Sequence, residues 1–94
     1  MEIEFTSQVF KEGRMYVAYA PELDVSSCGC TKKKAQKNLL EAARLFLEEA
    51  EKMGTLEQIL EEAGYVKRRD KLEGPRMISL ERASLELPLA DAQP

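Results

Sequence analysis

The feature that most constrains the fold of this chain is a broad apolar stripe at helical spacing between a Thr and a Gly. Thr31 is a good N-cap, and Gly54 stands where a helix commonly ends in a left-handed residue. The stripe consists of Ala35, Leu39, Ala42, Ala43, Phe46, Leu47 and Ala50. This spacing predicts a long amphipathic helix whose apolar face is covered by the rest of the chain.

Three strand-like segments precede the helix. Ile3, Phe5 and Val9 alternate with polar residues, and MYVAYA over residues 15–20 and residues 25–30 follow as the second and third strands. Gly13 lies in a tight turn between the first two, because glycine accepts a positive φ, and PELD at residues 21–24 forms the next connection. The segments predict an antiparallel meander.

A second, shorter helix follows Gly54. Thr55 and Gln58 fit a capping box, and Gly64 ends the helix. Its inward residues are Leu56, Ile59, Leu60 and Ala63. Residues 67–75 are then expected to form a charged loop or loose ribbon.

The last segment, residues 77–89, is predicted to be a strand. Ile78 and Leu80 share one face, whereas Leu85, Leu87 and Leu89 share the other. This change of parity indicates a bulge or two halves buried against different surfaces. The order β-β-β-α-α-β predicts an α+β, two-layer fold with an antiparallel meander and a helix on one face. Residues 1–89 would form a single domain and residues 90–94 a loose tail.

Composition excludes several classes of protein. The 94 residues suffice for one core, and two cysteines make no disulfide framework, so we expect a cytoplasmic protein. The acidic, alternating N-terminus is no signal peptide, and no apolar run is long enough for a membrane span. A net charge of -3 argues against a dedicated nucleic-acid binder.

The motif YVAYAPELDV at residues 16–25, followed by Gly29, Thr31 and the helix Ala35-x-x-x-Leu39-x-x-Ala42, resembles the HicB-like antitoxin family. The resemblance covers residues 1–54, and TLEQILEEAGY at residues 55–65 is similar to a stretch of its single-domain members. It implies a three-stranded meander, a helix and a returning strand, in a partial ribonuclease-H-like or double-stranded-RNA-binding-domain-like layer.

The same resemblance implies a function. HicB proteins bind HicA, a small basic toxin that cleaves messenger RNA with a histidine, and mask its active surface. Many members also carry a C-terminal DNA-binding domain. The residues after Gly64 are too few for a helix-turn-helix and in the wrong order for a ribbon-helix-helix, so DNA binding is doubtful here.

The two cysteines, Cys28 and Cys30, form a C-x-C pair at the end of the third strand. Zinc requires about four N or S ligands, and the chain has no histidine and no further cysteine. Only the pairing of two such strands from two copies would supply four. We therefore interpret both as small, half-buried structural residues and expect no metal and no cofactor.

Basic residues form two clusters. Four of the fourteen lie within Lys32–Lys37 and four within Lys67–Lys71. Lys32, Lys33 and Lys34 occupy the first helical turn, where the helix dipole favours acidic residues. One interpretation is a solvated surface. The other is a contact for an acidic partner or polyanion, made by Lys32, Lys33 and Lys34 together with Lys67, Arg68 and Arg69.

Surface patterning also predicts interaction. Tyr16 and Tyr19 have opposite parity, so one belongs to the core and the other to the uncovered face of the sheet. The final strand, with two faces to bury, predicts a homodimer or a dimer of dimers with Leu85 and Leu87 near the contact.

Three functions remain open. The first is an antitoxin-like protein that masks a HicA-type toxin, the second an orphan module that acts by self-association, and the third a weak nucleic-acid binder. Catalysis has little support, because the chain lacks histidine and a glycine-rich phosphate loop, and its paired glutamates are typical of solvated helix faces.

Overall fold

The computed structural model describes residues 1–90, and these residues have the predicted α+β fold. The strands are β1 (Glu2–Ile3), β2 (Gln8–Glu12), β3 (Met15–Ala20), β4 (Val25–Gly29), β5 (Val66–Arg68) and β6 (Lys71–Glu73), and the helices are α1 (Lys32–Met53) and α2 (Leu56–Glu62). They form two three-stranded sheets, ordered β2-β3-β4 and β1-β6-β5. The predicted tail, residues 90–94, lies outside the described residues except for Ala90.

The meander β2-β3-β4 is antiparallel throughout, as predicted. A two-residue turn joins β2 to β3, with Gly13 at φ 62°. One face of β3 lies beneath α1, and its residues Ala18 and Ala20 are completely buried. Because these side chains are small, the helix packs close to the sheet.

Helix α1 begins and ends where the sequence predicts. The Thr31 hydroxyl accepts a hydrogen bond from the Lys34 N–H at 3.1 Å, and Gly54 takes the left-handed conformation at φ 77°. Its fully buried residues are Ala35, Leu39, Ala43 and Ala50. None of the helices in residues 1–90 is long and apolar enough to cross a membrane.

Helix α2 ends before Gly64, which has φ 85°, so its predicted end is confirmed. The predicted capping box of Thr55 and Gln58 is wrong. The Thr55 N–H bonds the Ala50 carbonyl at 2.9 Å, and its hydroxyl donates to the same oxygen at 3.4 Å. The connection is so short that Thr55 completes the end of α1 instead of capping α2.

The first strand is not continuous, contrary to prediction. The N–H and hydroxyl of Thr6 both donate to the Glu22 carboxylate, at 2.9 and 2.6 Å, which interrupts the strand between β1 and β2. As a result β1 pairs in parallel with β6, matching Ile3 to Leu72, while β2 pairs with β3. The core-facing role predicted for Ile3, Phe5 and Val9 is retained, since all three pack against the core.

The predicted strand over residues 77–89 is also absent from the described residues. The strand that returns to the N-terminus is β6, in a hairpin with β5 where a charged loop or loose ribbon was predicted. Residues 75–90 are exposed, without a strand partner within residues 1–90, and we call them the arm. A strand requires a ladder of hydrogen bonds, which alternating apolar residues alone do not provide.

Candidate functional site

The sheet β2-β3-β4 has α1 on one face only, and we call the other face the open face. Phe10, Val17 and Cys28 lie side by side across its three strands. Phe10 is 53% exposed and Met15 is 41% exposed. An uncovered sheet face with large apolar side chains is a surface suited to contact with another protein.

The two tyrosines lie on opposite faces, as predicted. Tyr16 packs against the core, with the Lys11 ammonium 5.7 Å from the centre of its ring. Tyr19 is on the open face, and its hydroxyl donates a 2.9 Å hydrogen bond to Asp24. This bond raises the pKa of Tyr19, with smaller contributions from burial and from the Asp24 charge. Tyr19 thus belongs to the candidate contact surface.

Both cysteines are exposed and unpaired, so the prediction that they are half-buried is wrong. Cys28 points away from α1 because of its parity on the edge strand β4, and Cys30 lies beyond the end of that strand. No group of three metal-ligating side chains exists within residues 1–90. Cys28 is therefore an exposed thiol on the open face.

The first basic cluster, Lys32, Lys33 and Lys34, is exposed in the first turn of α1. No acidic residue balances it in that turn. The Lys34 ammonium lies 3.6 Å from the Cys30 sulfur. None of the three lysines forms a salt bridge among the described residues, so their geometry is that of a solvated helix end.

The second basic cluster is the β5–β6 hairpin. Arg68 forms a 3.0 Å salt bridge with Glu73, and Lys71 forms one of 2.9 Å with Glu4. The hydrogen bond that the Lys71 ammonium donates to the Glu4 carboxylate, together with the negative charge of Glu4, raises the pKa of Lys71. Two of the hairpin cations are thereby compensated. Helix α1 packs on the sheet β2-β3-β4, whereas the hairpin belongs to the other sheet, β1-β6-β5, so the structure does not bring the two clusters together.

The hairpin carries its strain at Arg69, which has φ 58°. A side chain at positive φ costs roughly 1–2 kcal/mol, and Gly or Asn is the usual residue in such a turn. Asp24 also has a positive φ, but Asp tolerates that conformation better than Arg.

The outer surface of α1 and α2 is strongly acidic, and we call it the acidic helical surface. Its seven glutamates are all exposed: Glu41, Glu48, Glu49, Glu51, Glu57, Glu61 and Glu62. Residues 41–62 contain only two cations, Arg44 and Lys52, so the segment has a net charge of -5 from seven negative and two positive residues. Among the described residues, only Glu41 of the seven forms a salt bridge, with Arg44.

Two large apolar side chains interrupt the acidic helical surface. Leu45 is 60% exposed and Met53 is 67% exposed. Steps of four residues from Leu45 through Glu49 to Met53 place them along one stripe of α1. The helical pattern in the sequence assigns Leu45 no place in the core, and this is the signal from which the stripe could have been predicted.

A cleft of about 640 Å³ lies between residues 3–6, Glu22, Leu40 and residues 73–76. Its carboxylates are all engaged, Glu22 by Thr6, and Glu4 and Glu73 by the two salt bridges of the hairpin. Burial alone would raise the pKa of Glu22, but the hydrogen bonds from Thr6 outweigh it and lower that pKa. The contacts of this cleft hold the N-terminal segment in place.

Tyr65 fixes the same region from the inside. Its hydroxyl donates a 2.6 Å hydrogen bond to the Glu4 carbonyl, and its ring is nearly buried. Burial, followed by the charges of Glu22 and Glu4, raises the pKa of Tyr65 to about 12. The tyrosine therefore stays neutral and remains a hydrogen-bond donor at every physiological pH.

Comparison of this chain with protein-family models, curated proteins and solved structures finds no match. The HicB-like family accordingly stays a resemblance carried by the motifs of residues 16–65. The same holds for the ribonuclease-H-like and double-stranded-RNA-binding-domain-like folds that this resemblance implies. The candidate site is defined by surface geometry and charge.

Proposed function

We propose that this protein is an antitoxin-like binding protein that masks a small, basic, RNA-cleaving toxin of the HicA type. The observation that carries the proposal is the acidic helical surface with Leu45 and Met53 exposed along it. The resemblance of residues 16–65 to HicB-like antitoxins supplies the class of partner.

Electrostatics supports a basic partner. Six of the seven glutamates on the acidic helical surface form no salt bridge among the described residues, so their field is directed into solvent. Opposite charges on two proteins raise the rate of association, and they orient the encounter. A toxin that binds RNA through a basic surface presents the charge that this field attracts.

The exposed apolar residues provide the water-excluding centre of the contact, which charge alone does not provide. Leu45 has glutamates four residues before and after it, Glu41 and Glu49. An apolar residue surrounded by polar groups is the usual anatomy of a protein contact, in which the centre excludes water and the rim gives specificity. Masking requires no chemistry from the antitoxin, because covering the RNA-binding groove of the toxin is sufficient.

We expect this protein to act in the cytoplasm. Cys28 and Cys30 are exposed and unpaired. Free exposed thiols are compatible with a reducing compartment, which is also where messenger RNA is cleaved.

The direct test is co-expression of this chain with a HicA-like ribonuclease encoded in the same genome. We expect growth to be restored, messenger RNA decay to stop, and the two proteins to co-purify. The double variant Glu48→Lys/Glu49→Lys is expected to weaken the complex at least tenfold at low salt, because it replaces two attractive charges by repulsive ones.

The matched control is Glu2→Lys/Glu12→Lys. Both of its positions are exposed and lie outside α1 and α2, and the change in net charge is the same. This variant should retain full neutralisation. A toxin that stays fully active beside the unmodified chain, with no complex formed, would refute the proposal. Equal losses in the two double variants would show that only net charge matters.

A second candidate function, weak nucleic-acid binding, is favoured by the backbone of Arg69. A strained arginine at the tip of a basic hairpin suggests that its side chain is retained for a contact. Phosphate is the natural partner of a guanidinium group. Because Arg68 and Lys71 are already paired with glutamates, the contact would depend on Lys67 and Arg69.

Arg69→Gly separates stability from binding. Since glycine adopts φ 58° without steric cost, we expect the variant to be more stable by roughly 1 kcal/mol in urea denaturation. The control Lys67→Gly, within β5, should instead lose roughly 0.5–1 kcal/mol. If the hairpin binds RNA, the stabilised Arg69→Gly protein will also lose a salt-dependent shift of labelled RNA. A destabilised Arg69→Gly protein would contradict the strain argument.

A further inference from the structure

The arm follows the edge of β2 and then leaves the body of the protein. The parallel pairing of Ile3 with Leu72 sets its direction, and residues 77–82 pass beside residues 6–10. From Ala83 onward no hydrogen bond within residues 1–90 connects the arm to the body. The molecule is accordingly elongated, 54 Å by 29 Å by 25 Å.

The outer part of the arm has an apolar side that is exposed in the described residues. Leu85, Leu87 and Leu89 are 77%, 65% and 68% exposed. Alternate residues of an extended segment project to one side, so Leu85 and Leu87 form a leucine stripe, with Ser84 and Glu86 on the other side. A γ-turn at Pro88, closed by a 2.8 Å hydrogen bond from the Leu89 N–H to the Leu87 carbonyl, ends the extended part. The radius of gyration is 17.0 Å, against about 12 Å for a compact chain of this length.

The open face is the complementary surface. It presents Phe10 and Met15 with Val17 beside them, and the arm flanks it only at the β2 edge, where Met77 and Leu80 lie near Phe10. The five residues 83–87 span about 16 Å when extended, enough to cross three strands spaced about 5 Å apart. Neither surface carries a dense charge of one sign, so the match between them is apolar.

We propose that a second copy of this chain supplies the missing cover, so that the leucine stripe of each arm lies across the open face of the other copy. Two-fold symmetry makes the exchange reciprocal, because each copy offers one arm and one open face. The second copy is chosen over the same chain because Leu85 and Leu87 are exposed, and residues 83–89 make no hydrogen bond to the body within residues 1–90. This dimer is independent of the proposed toxin contact, which uses the opposite side of the molecule.

The exposed thiol of Cys28 serves as a crosslinking probe on the open face. In a Cys30→Ser background, Leu87→Cys should form a disulfide with Cys28 of the second copy under oxidation by diamide. The expected product is a covalent dimer of twice 10.6 kDa on a non-reducing gel. Glu86→Cys, on the other side of the arm, should give several-fold less covalent dimer. Adding Cys28→Ser to the Leu87→Cys variant should abolish the product that is specific to position 87.

Light scattering of the unmodified chain at tens of micromolar is expected to give the mass of a dimer, and Leu85→Asp/Leu87→Asp should give a monomer with an unchanged circular dichroism spectrum. An intramolecular disulfide between positions 28 and 87 would overturn the proposal by showing that the arm covers its own sheet. A monomeric unmodified chain, or equal crosslinking from positions 86 and 87, would overturn it as well. None of these measurements involves a toxin, so their outcomes do not depend on whether the proposed function is correct.

Discussion

Replacing Leu39 by Ala is expected to lower the free energy of unfolding by about 2–5 kcal/mol, the range for leucines removed from well-packed cores. Leu39 is the largest side chain that is completely buried, at 1% exposure. The core around it consists mainly of alanines, including Ala18, Ala20 and Ala43. Backbone elements packed through alanine cannot fill the space that a lost isobutyl group leaves, so the cavity persists.

The neighbouring leucine provides the matched control for this prediction. Leu40 lies on the same turn of α1 and is 62% exposed. Leu40→Ala should change stability by less than about 0.5 kcal/mol, as is usual for surface positions. Urea denaturation followed by circular dichroism measures both variants. Equal losses would show that helix propensity, rather than packing, determines the effect.

Adding a single methyl group at Gly29 is expected to be nearly as damaging, with a loss of about 1–3 kcal/mol or more. A Cβ atom there would lie 2.7 Å from the Ala35 nitrogen and 2.9 Å from the Lys34 carbonyl carbon. Both are backbone atoms of the first turn of α1. A flexible side chain would move aside, but a helix backbone moves only by separating from the sheet.

Ser26→Ala is the control for Gly29→Ala, because Ser26 is an exposed residue of the same strand, β4. Its stability should be close to that of the unmodified protein. Thermal unfolding of the three proteins gives the comparison. A Gly29→Ala protein as stable as the Ser26→Ala protein would mean that α1 has room to shift, and that its contact with β4 is loose.

Elements defined by local chemistry were predictable from the sequence. Helix α1 was located because its period and both caps, Thr31 and Gly54, are encoded within one continuous segment. The turn at Gly13 and the parity of Tyr16 and Tyr19 depend on neighbouring residues in the same way. The α+β class follows from these elements.

Features that depend on distant partners were not predictable. The break in the first strand is caused by Glu22, sixteen residues beyond Thr6. The arm has the alternation of a strand but pairs with no other strand among the described residues. The acidic helical surface was visible as a charge run, whereas the exposure of Leu45 and Met53 required the packing of α1 to be known.

The pairing of β1 with β6 has a consequence for synthesis on the ribosome. Residues 8–53 contain the whole meander and its helix, so this body can begin to pack soon after it emerges. Glu4 acquires its partners Tyr65 and Leu72 only after more than sixty further residues have been made. The N-terminal segment therefore stays unpaired until residues 65–72 have been made, so its docking is a late step in the folding of this domain rather than the first one.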